Sequence, residues 1–170
     1  MTRYTAHPLL LLLLLLSAAP DHSSAAVSDS LKDACAKFVY PDFCLKALGD
    51  DPRSATADFH GLALISLDLS VASANAISSG YAQQRREPSL DAAAKNSLDG
   101  CLLLYQNNFP LLDYARKFLE GGQPGVGREL LDQAMWAPVK CDGGIKDGDK
   151  ANVADLILLA RRFMELLDPQ

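Results

Sequence analysis

The chain has 170 residues, 49% of them hydrophobic, with 16 Lys+Arg against 21 Asp+Glu and a net charge of −5. That acidic balance argues against nucleic acid or an anionic membrane surface as a partner. Three histidines, and four cysteines with no CxxC pair, suit neither a metal site nor imidazole acid–base chemistry, so no cofactor is expected and the composition leans away from enzymes.

Residues 9–16 are an unbroken run of eight leucines, after Arg3 and before small residues. A basic start, a short apolar core and a small-residue end are the layout of a secretory signal peptide. Eight leucines fall well short of the roughly 20 apolar residues that span a bilayer. Ser24 and Ala26 suit the small positions before a cleavage site, so residues 1–26 are expected to be the signal and 27–170 the exported domain. That domain would have 144 residues and keep the net charge of −5, with no membrane partner once the signal is gone. His7 and His22 leave with the signal, and His60 remains. All four cysteines, Cys35, Cys44, Cys101 and Cys141, fall in the exported part. An even count in a secreted chain reads as two disulfides, with three pairings open.

Beyond the signal, apolar residues recur at helical spacing. A short helix is expected from Val27 to Phe38, ending before Tyr40-Pro41-Asp42. Pro41 suits the first turn of a second helix that runs to about Leu48, with Gly49 as its stop. This turn would bring Cys35 and Cys44 together, and pairing them would staple a helical hairpin. A long helix follows from Ser54 to about Ser79, its seam being Phe59, Leu62, Ile65, Leu69, Ala72 and Ala76. Gly80 and the polar run Gln83-Gln84-Arg85-Arg86-Glu87-Pro88 read as a loop.

Ser89 is a plausible N-cap for the next helix, whose seam is Leu90, Ala94, Leu98, Cys101 and Tyr105 and resumes at Leu111, Ala115, Phe118 and Leu119. Pro110 within it should kink or split the helix, and a kink is the expectation. Gly121-Gly122-Gln123-Pro124-Gly125 breaks the chain. A third segment from Val126 to Cys141 turns Leu130, Leu131, Ala134 and Met135 inward, with Pro138 distorting its last turn. After a loop from Cys141 to Gly148, the last helix covers Asp149 to Leu167, its seam being Val153, Leu156, Ala160, Phe163 and Leu167. Four amphipathic segments with short connections predict an all-α antiparallel up-down four-helix bundle.

No acid–base constellation stands out. His60 follows Asp58 by two residues, a spacing that does not bring side chains face to face on a helix, so a surface histidine near a helix terminus is expected. Asp58, Asp68 and Asp91 read as solvated carboxylates rather than a paired catalytic set. Trp136 reads as a partly buried ring on Pro138, with an interface role as the sharper alternative. Arg53 is expected to satisfy Asp50 or Asp51 locally. Arg85-Arg86 and Arg161-Arg162 read as solvated pairs, a weak contact with a polyanion being the sharper alternative.

The cysteine spacing Cys-x8-Cys, then about 56 residues, then Cys-x39-Cys resembles that of the plant invertase and pectin methylesterase inhibitor family. Tyr40-Pro41-Asp42-Phe43-Cys44-Leu45-Lys46-Ala47-Leu48, Asp51-Pro52-Arg53-Ser54-Ala55-Thr56, Gly61-Leu62-Ala63-Leu64-Ile65, Glu87-Pro88-Ser89-Leu90 and Leu98-x2-Cys101 carry the resemblance further. It implies a helical hairpin over 27–49 in front of a four-helix bundle over 50–170, with disulfides Cys35–Cys44 and Cys101–Cys141. It also implies a secreted, non-catalytic inhibitor in the apoplast or cell wall, bound one-to-one and non-covalently to plant pectin methylesterase or to an invertase. In such pectin methylesterase inhibitors one flank of the bundle covers the substrate groove. In the invertase inhibitors a Pro-Lys-Phe motif before the third bundle helix enters the active site. Here that position reads Pro124-Gly125-Val126, without the lysine charge or the phenylalanine anchor, which favours pectin methylesterase as the target. Gly143-Gly144-Ile145 also departs from the family's acidic-aromatic stretch, as do Pro110 and Pro138 from its helices. A secreted binding or storage protein that inhibits nothing is the rival from another class.

Overall fold

A computed structural model of the chain describes residues 28–142 and 152–168. The expected signal, most of the loop to Gly148 and the expected start of the last helix at Asp149 lie outside the described residues.

Helix α1 (Asp29–Cys35) opens at Ser28, whose hydroxyl accepts from the Leu31 N–H at 3.2 Å. Such a cap satisfies one of the donors that a helix start leaves orphaned. Helix α2 (Pro41–Gly49) begins on Pro41, whose missing N–H costs nothing in a first turn. Cys35 and Cys44 are bonded, their Cα atoms 5.5 Å apart, and both are fully buried.

A 3-10 turn over Pro52–Ala55 follows, capped by Asp51. It takes up Ser54, which was expected to open the next helix. Helix α3 (Phe59–Gln84) instead waits for Asp58, whose carboxylate accepts from the Gly61 N–H at 2.8 Å. It also runs past its expected end, through Gly80 to Gln84. One helical glycine costs about 1 kcal/mol relative to alanine, and beyond it Tyr81 packs edge-on against Tyr105 with ring centroids 6.0 Å apart. Its core face differs from the expected seam, because Ala72 and Ala76 are exposed while Ser66, Ser70 and Ala74 are buried. The Ser66 and Ser70 hydroxyls donate to the carbonyls of Leu62 and Ser66 at 2.8 and 2.7 Å. Serines thus enter the core with their polarity satisfied inside their own helix.

Helix α4 (Ala92–Glu120) is capped by Asp91, not Ser89; the carboxylate accepts from the Ala94 N–H at 2.8 Å. It is unbroken across Pro110, so the chain does not split there. Pro110 and Gln106, whose carbonyl loses a donor, are both exposed, so water can take the missing place. Gly122 has φ +73°, the left-handed geometry that lets the chain turn out of α4.

The third segment is two helices, α5 (Pro124–Ala134) and α6 (Trp136–Cys141). A proline ring excludes the carbonyl four residues back. For Pro138 that residue is Ala134, the last of α5. Pro138 then sits in the first turn of α6, where no N–H is needed. Helix α7 (Val153–Leu167) is capped by Asn152, which accepts from the Asp155 N–H at 2.9 Å. Val153, Leu156, Ala160 and Phe163 are buried as the seam predicts, whereas Leu167, in the final turn, is 37% exposed.

Helix α3 packs on α4 and α7, and α5 packs on the same two, closing a four-helix bundle with α5–α6 as its third member. Among the described residues there is no strand. Helix α3 is long and apolar enough to cross a membrane by composition, but Leu62, Ile65 and Leu67 are buried in the bundle core. At one end Phe163 lies 4.7 Å from the Phe38 ring and 6.2 Å from the Phe59 ring, seating the α1–α2 hairpin on the bundle. A Cβ on Gly127 would stand 3.1 Å from Met164 Sδ and 3.2 Å from the Ala115 carbonyl oxygen, so glycine lets α5 approach both neighbours closely. From residue 75 to residue 104 no side chain is fully buried, and this stretch forms the far tip of the α3–α4 pair.

Candidate functional site

Eight large apolar side chains are exposed among the described residues, and five of them lie on three consecutive helices. They are Leu103 and Tyr114 on α4, Val126 on α5, and Trp136 and Val139 on α6; none lies on α3. Trp136 is 59% exposed, with Lys140 Nζ 5.4 Å from its ring centroid. Trp136 is thus exposed rather than partly buried as expected. Residues two apart lie on opposite sides of a helix, and in α6 the buried side is that of Ala137 and Pro138.

This flank is braced at its far end. Cys101 of α4 is bonded to Cys141 of α6, with Cα atoms 5.7 Å apart. Beside the bridge, the Asp142 carboxylate accepts from the hydroxyls of both Tyr81 on α3 and Tyr105 on α4. Burial first, and then the hydrogen bond to Asp142 and its charge, push both tyrosines above their ordinary range and keep them protonated donors. Three elements thus converge on one carboxylate, a clamp that sequence periodicity did not reveal.

At the start of α5, a Cβ on Gly125 would stand 3.1 Å from the Asp168 carboxylate. Gly125 borders a shallow cleft of about 580 Å³ lined also by Arg128, Asp132, Arg161, Arg162 and Glu165. Its charges are internally matched: Arg161 pairs with Asp132 at 2.6 Å and Arg162 with Glu165 at 2.6 Å. The hydrogen bond from Arg162 holds Glu165 below the ordinary glutamate range. Arg161-Arg162 is therefore paired rather than free in solvent.

The other singled-out residues are structural. Asp58 and Asp91 are helix caps. Asp68 receives Arg53 at 2.9 Å and also pairs with Arg116. Arg53 donates to Asp51 as expected locally, through Nη2 at 2.7 Å, and it also ties the 3-10 turn to α3 through Asp68. His60 Nε2 lies 3.3 Å from the Leu119 carbonyl oxygen, an acceptor that only a protonated ring nitrogen satisfies. The structure brings none of these carboxylates to His60. No group of three potential metal ligands occurs among the described residues.

A four-helix bundle with two disulfides, an appended helical hairpin and five of its eight exposed large apolar side chains on α4–α6 defines a cross-braced scaffold that presents a surface. Comparison with known proteins makes the class specific. The family model of plant invertase/pectin methylesterase inhibitors matches residues 29–165, and the chain belongs to that family. The family is made of inhibitor proteins, not enzymes.

Among curated relatives, a "Putative invertase inhibitor" of Platanus acerifolia is 29% identical over 126 residues, covering 71% of this chain and 70% of that protein. A "Pectinesterase inhibitor" of Actinidia deliciosa is 33% identical over 100 residues, 59% of this chain and 54% of that protein. The crystal structure of a mutant form of a pectin methylesterase inhibitor from Arabidopsis superposes with a TM-score of 0.66 at 21% identity, covering 84% of this chain and all of the other. At that identity the likeness is one of fold.

Proposed function

We propose that the protein is a secreted inhibitor of plant pectin methylesterase, acting in the apoplast by a non-covalent one-to-one complex that covers the enzyme's substrate cleft. Residues 1–26 would be removed on export and 27–170 would form the inhibitor. The observation that carries the mode of action is the concentration of exposed apolar side chains on α4–α6, with Trp136 the largest. Tryptophan is enriched among the few residues that dominate interface energy. The Cys101–Cys141 bridge and the Asp142 clamp keep that flank preorganised, which lowers the ordering cost of binding.

The start of α5 supports the choice of target. Pro124-Gly125-Val126 offers neither cation nor aromatic ring. A second reading, an invertase inhibitor, is supported by the Platanus acerifolia relative, which matches a larger share of the chain than the Actinidia deliciosa one does. Parallel assays separate the two. The purified protein is expected to inhibit pectin methylesterase and leave plant invertase active, and Trp136→Ala is expected to weaken inhibition by tenfold or more, about 1.4 kcal/mol. Inhibition of invertase alone would overturn the choice of target, and an unaffected Trp136→Ala would overturn the role of the α6 surface.

A further inference from the structure

Three pairs of adjacent basic residues occur in the chain: Arg85-Arg86, Arg116-Lys117 and Arg161-Arg162. The second lies inside α4 and the third inside α7, where the peptide bonds are locked into helical turns. Arg85-Arg86 is different, because α3 ends at Gln84 and α4 begins at Ala92. Residues 83–89 are all exposed. Four surface hydrogen bonds shape the connection, from the N–H groups of Arg85, Arg86, Glu87 and Leu90 to the carbonyls of Tyr81, Gln83, Gln84 and Glu87. Water replaces such bonds at small cost, and exposed loop tips are where proteolytic nicking concentrates.

We propose that the Arg86–Glu87 peptide bond is a processing site for an endoprotease specific for paired basic residues. Arg86 supplies the residue before the scissile bond and Arg85 the one before that. Water adds across the amide, leaving a new carboxylate on Arg86 and a new amino terminus on Glu87. The leaving nitrogen belongs to Glu87, so Pro88 does not obstruct the reaction. Arg86 makes no ion pair among the described residues, whereas Arg85 is held by Asp99 through two hydrogen bonds, one of them from Nη2 at 3.0 Å. Asp99 therefore guards the site, because Arg85 must leave it to enter the protease.

The placement of the disulfides gives the cut its consequence. Cys35–Cys44 lies wholly before Arg86 and Cys101–Cys141 wholly after it. Neither bridge spans the cut. Non-covalent contacts then join the halves, chiefly the packing of α3 on α4 and α7, with Phe38 on Phe163 and the Tyr81–Asp142 hydrogen bond, and a single covalent chain becomes a two-fragment assembly whose integrity depends on concentration.

The test treats the oxidised full domain with an endoprotease specific for paired basic residues and maps the products by intact mass. One cut between residues 86 and 87 is expected, giving fragments that separate on non-reducing denaturing electrophoresis but co-elute on native size exclusion. Arg86→Gln should slow cutting about tenfold or more, and Asp99→Asn should speed it roughly twofold to fivefold, the worth of one exposed ion pair. Arg161→Gln should change nothing in the cutting rate. An uncut chain, a first cut after Arg162, or a rate indifferent to Arg86→Gln would overturn the site. Separation of the fragments under native conditions would overturn the non-covalent assembly, and a rate unmoved by Asp99→Asn would overturn the guard.

Discussion

The two ends of the bundle are held by different physics. At the hairpin end, Phe38 and Phe59 pack on the fully buried Phe163 and join the apolar core. Full burial of each such side chain is worth about 1.5–3 kcal/mol. At the far end, residues 75–104 bury no side chain fully, and discrete links do the holding. These are the Cys101–Cys141 bridge, the Asp142 clamp on Tyr81 and Tyr105, and the Arg85–Asp99 pair. Cross-links appear where packing runs out. The α4–α6 flank that we assign to target binding reaches from the packed body into the cross-linked end.

Substitutions at either end test this contrast, and the largest effect belongs to the packed one. Phe163→Ala should cost about 3–5 kcal/mol, because it removes a fully buried ring with two aromatic partners. Denaturant unfolding reads it, and a loss below about 1 kcal/mol would mean that the cluster does not organise the hairpin end. Removing the far bridge with Cys101→Ser and Cys141→Ser should cost about 4 kcal/mol on the chain-entropy estimate. Amide exchange should then rise in residues 75–104 while α7 stays protected, and uniform loosening would erase the distinction between the ends.

Smaller effects sharpen the picture. Asp142→Asn leaves one acceptor oxygen for two tyrosine hydroxyls and should cost about 1–3 kcal/mol. Gly80→Ala should stabilise by about 0.5–1 kcal/mol, since nothing lies within 4 Å of the added methyl and the residue is helical. Destabilisation there would show that the tip is packed after all.

Acid should matter least. Hydrogen bonds from arginine hold Asp51, Asp99 and Glu165 below their ordinary values. A carboxylate whose folded value is depressed stabilises above its unfolded pKa and loses that contribution as pH falls through the folded one. The melting temperature should therefore stay level from neutral to about pH 4 and decline below it, modestly because these pairs are exposed. A decline starting well above about pH 5 would point to other groups.

Much of this architecture is legible in the sequence, for local reasons. Pro41 marks a helix start, the glycine-rich run after Glu120 marks a break, and a seam with little ambiguity orients α7. Caps were harder, because Ser54 and Ser89 are as able as Asp58 and Asp91, and tertiary placement chooses between them. The inner face of α3 was misread because two serines satisfy themselves within the helix and so enter the core. The orientation of Trp136 depended on where Pro138 would break the helix, which fixes the phase of α6. The Asp142 clamp joins residues 61 and 37 positions apart, beyond the reach of any local pattern.

The most direct test of the functional account is a stoichiometric titration of plant pectin methylesterase with the disulfide-bonded protein, following release of methanol from pectin. The account predicts activity that falls linearly and reaches its floor at one inhibitor per enzyme. Unchanged activity at excess protein, with the helical circular dichroism and both bridges intact, would contradict it.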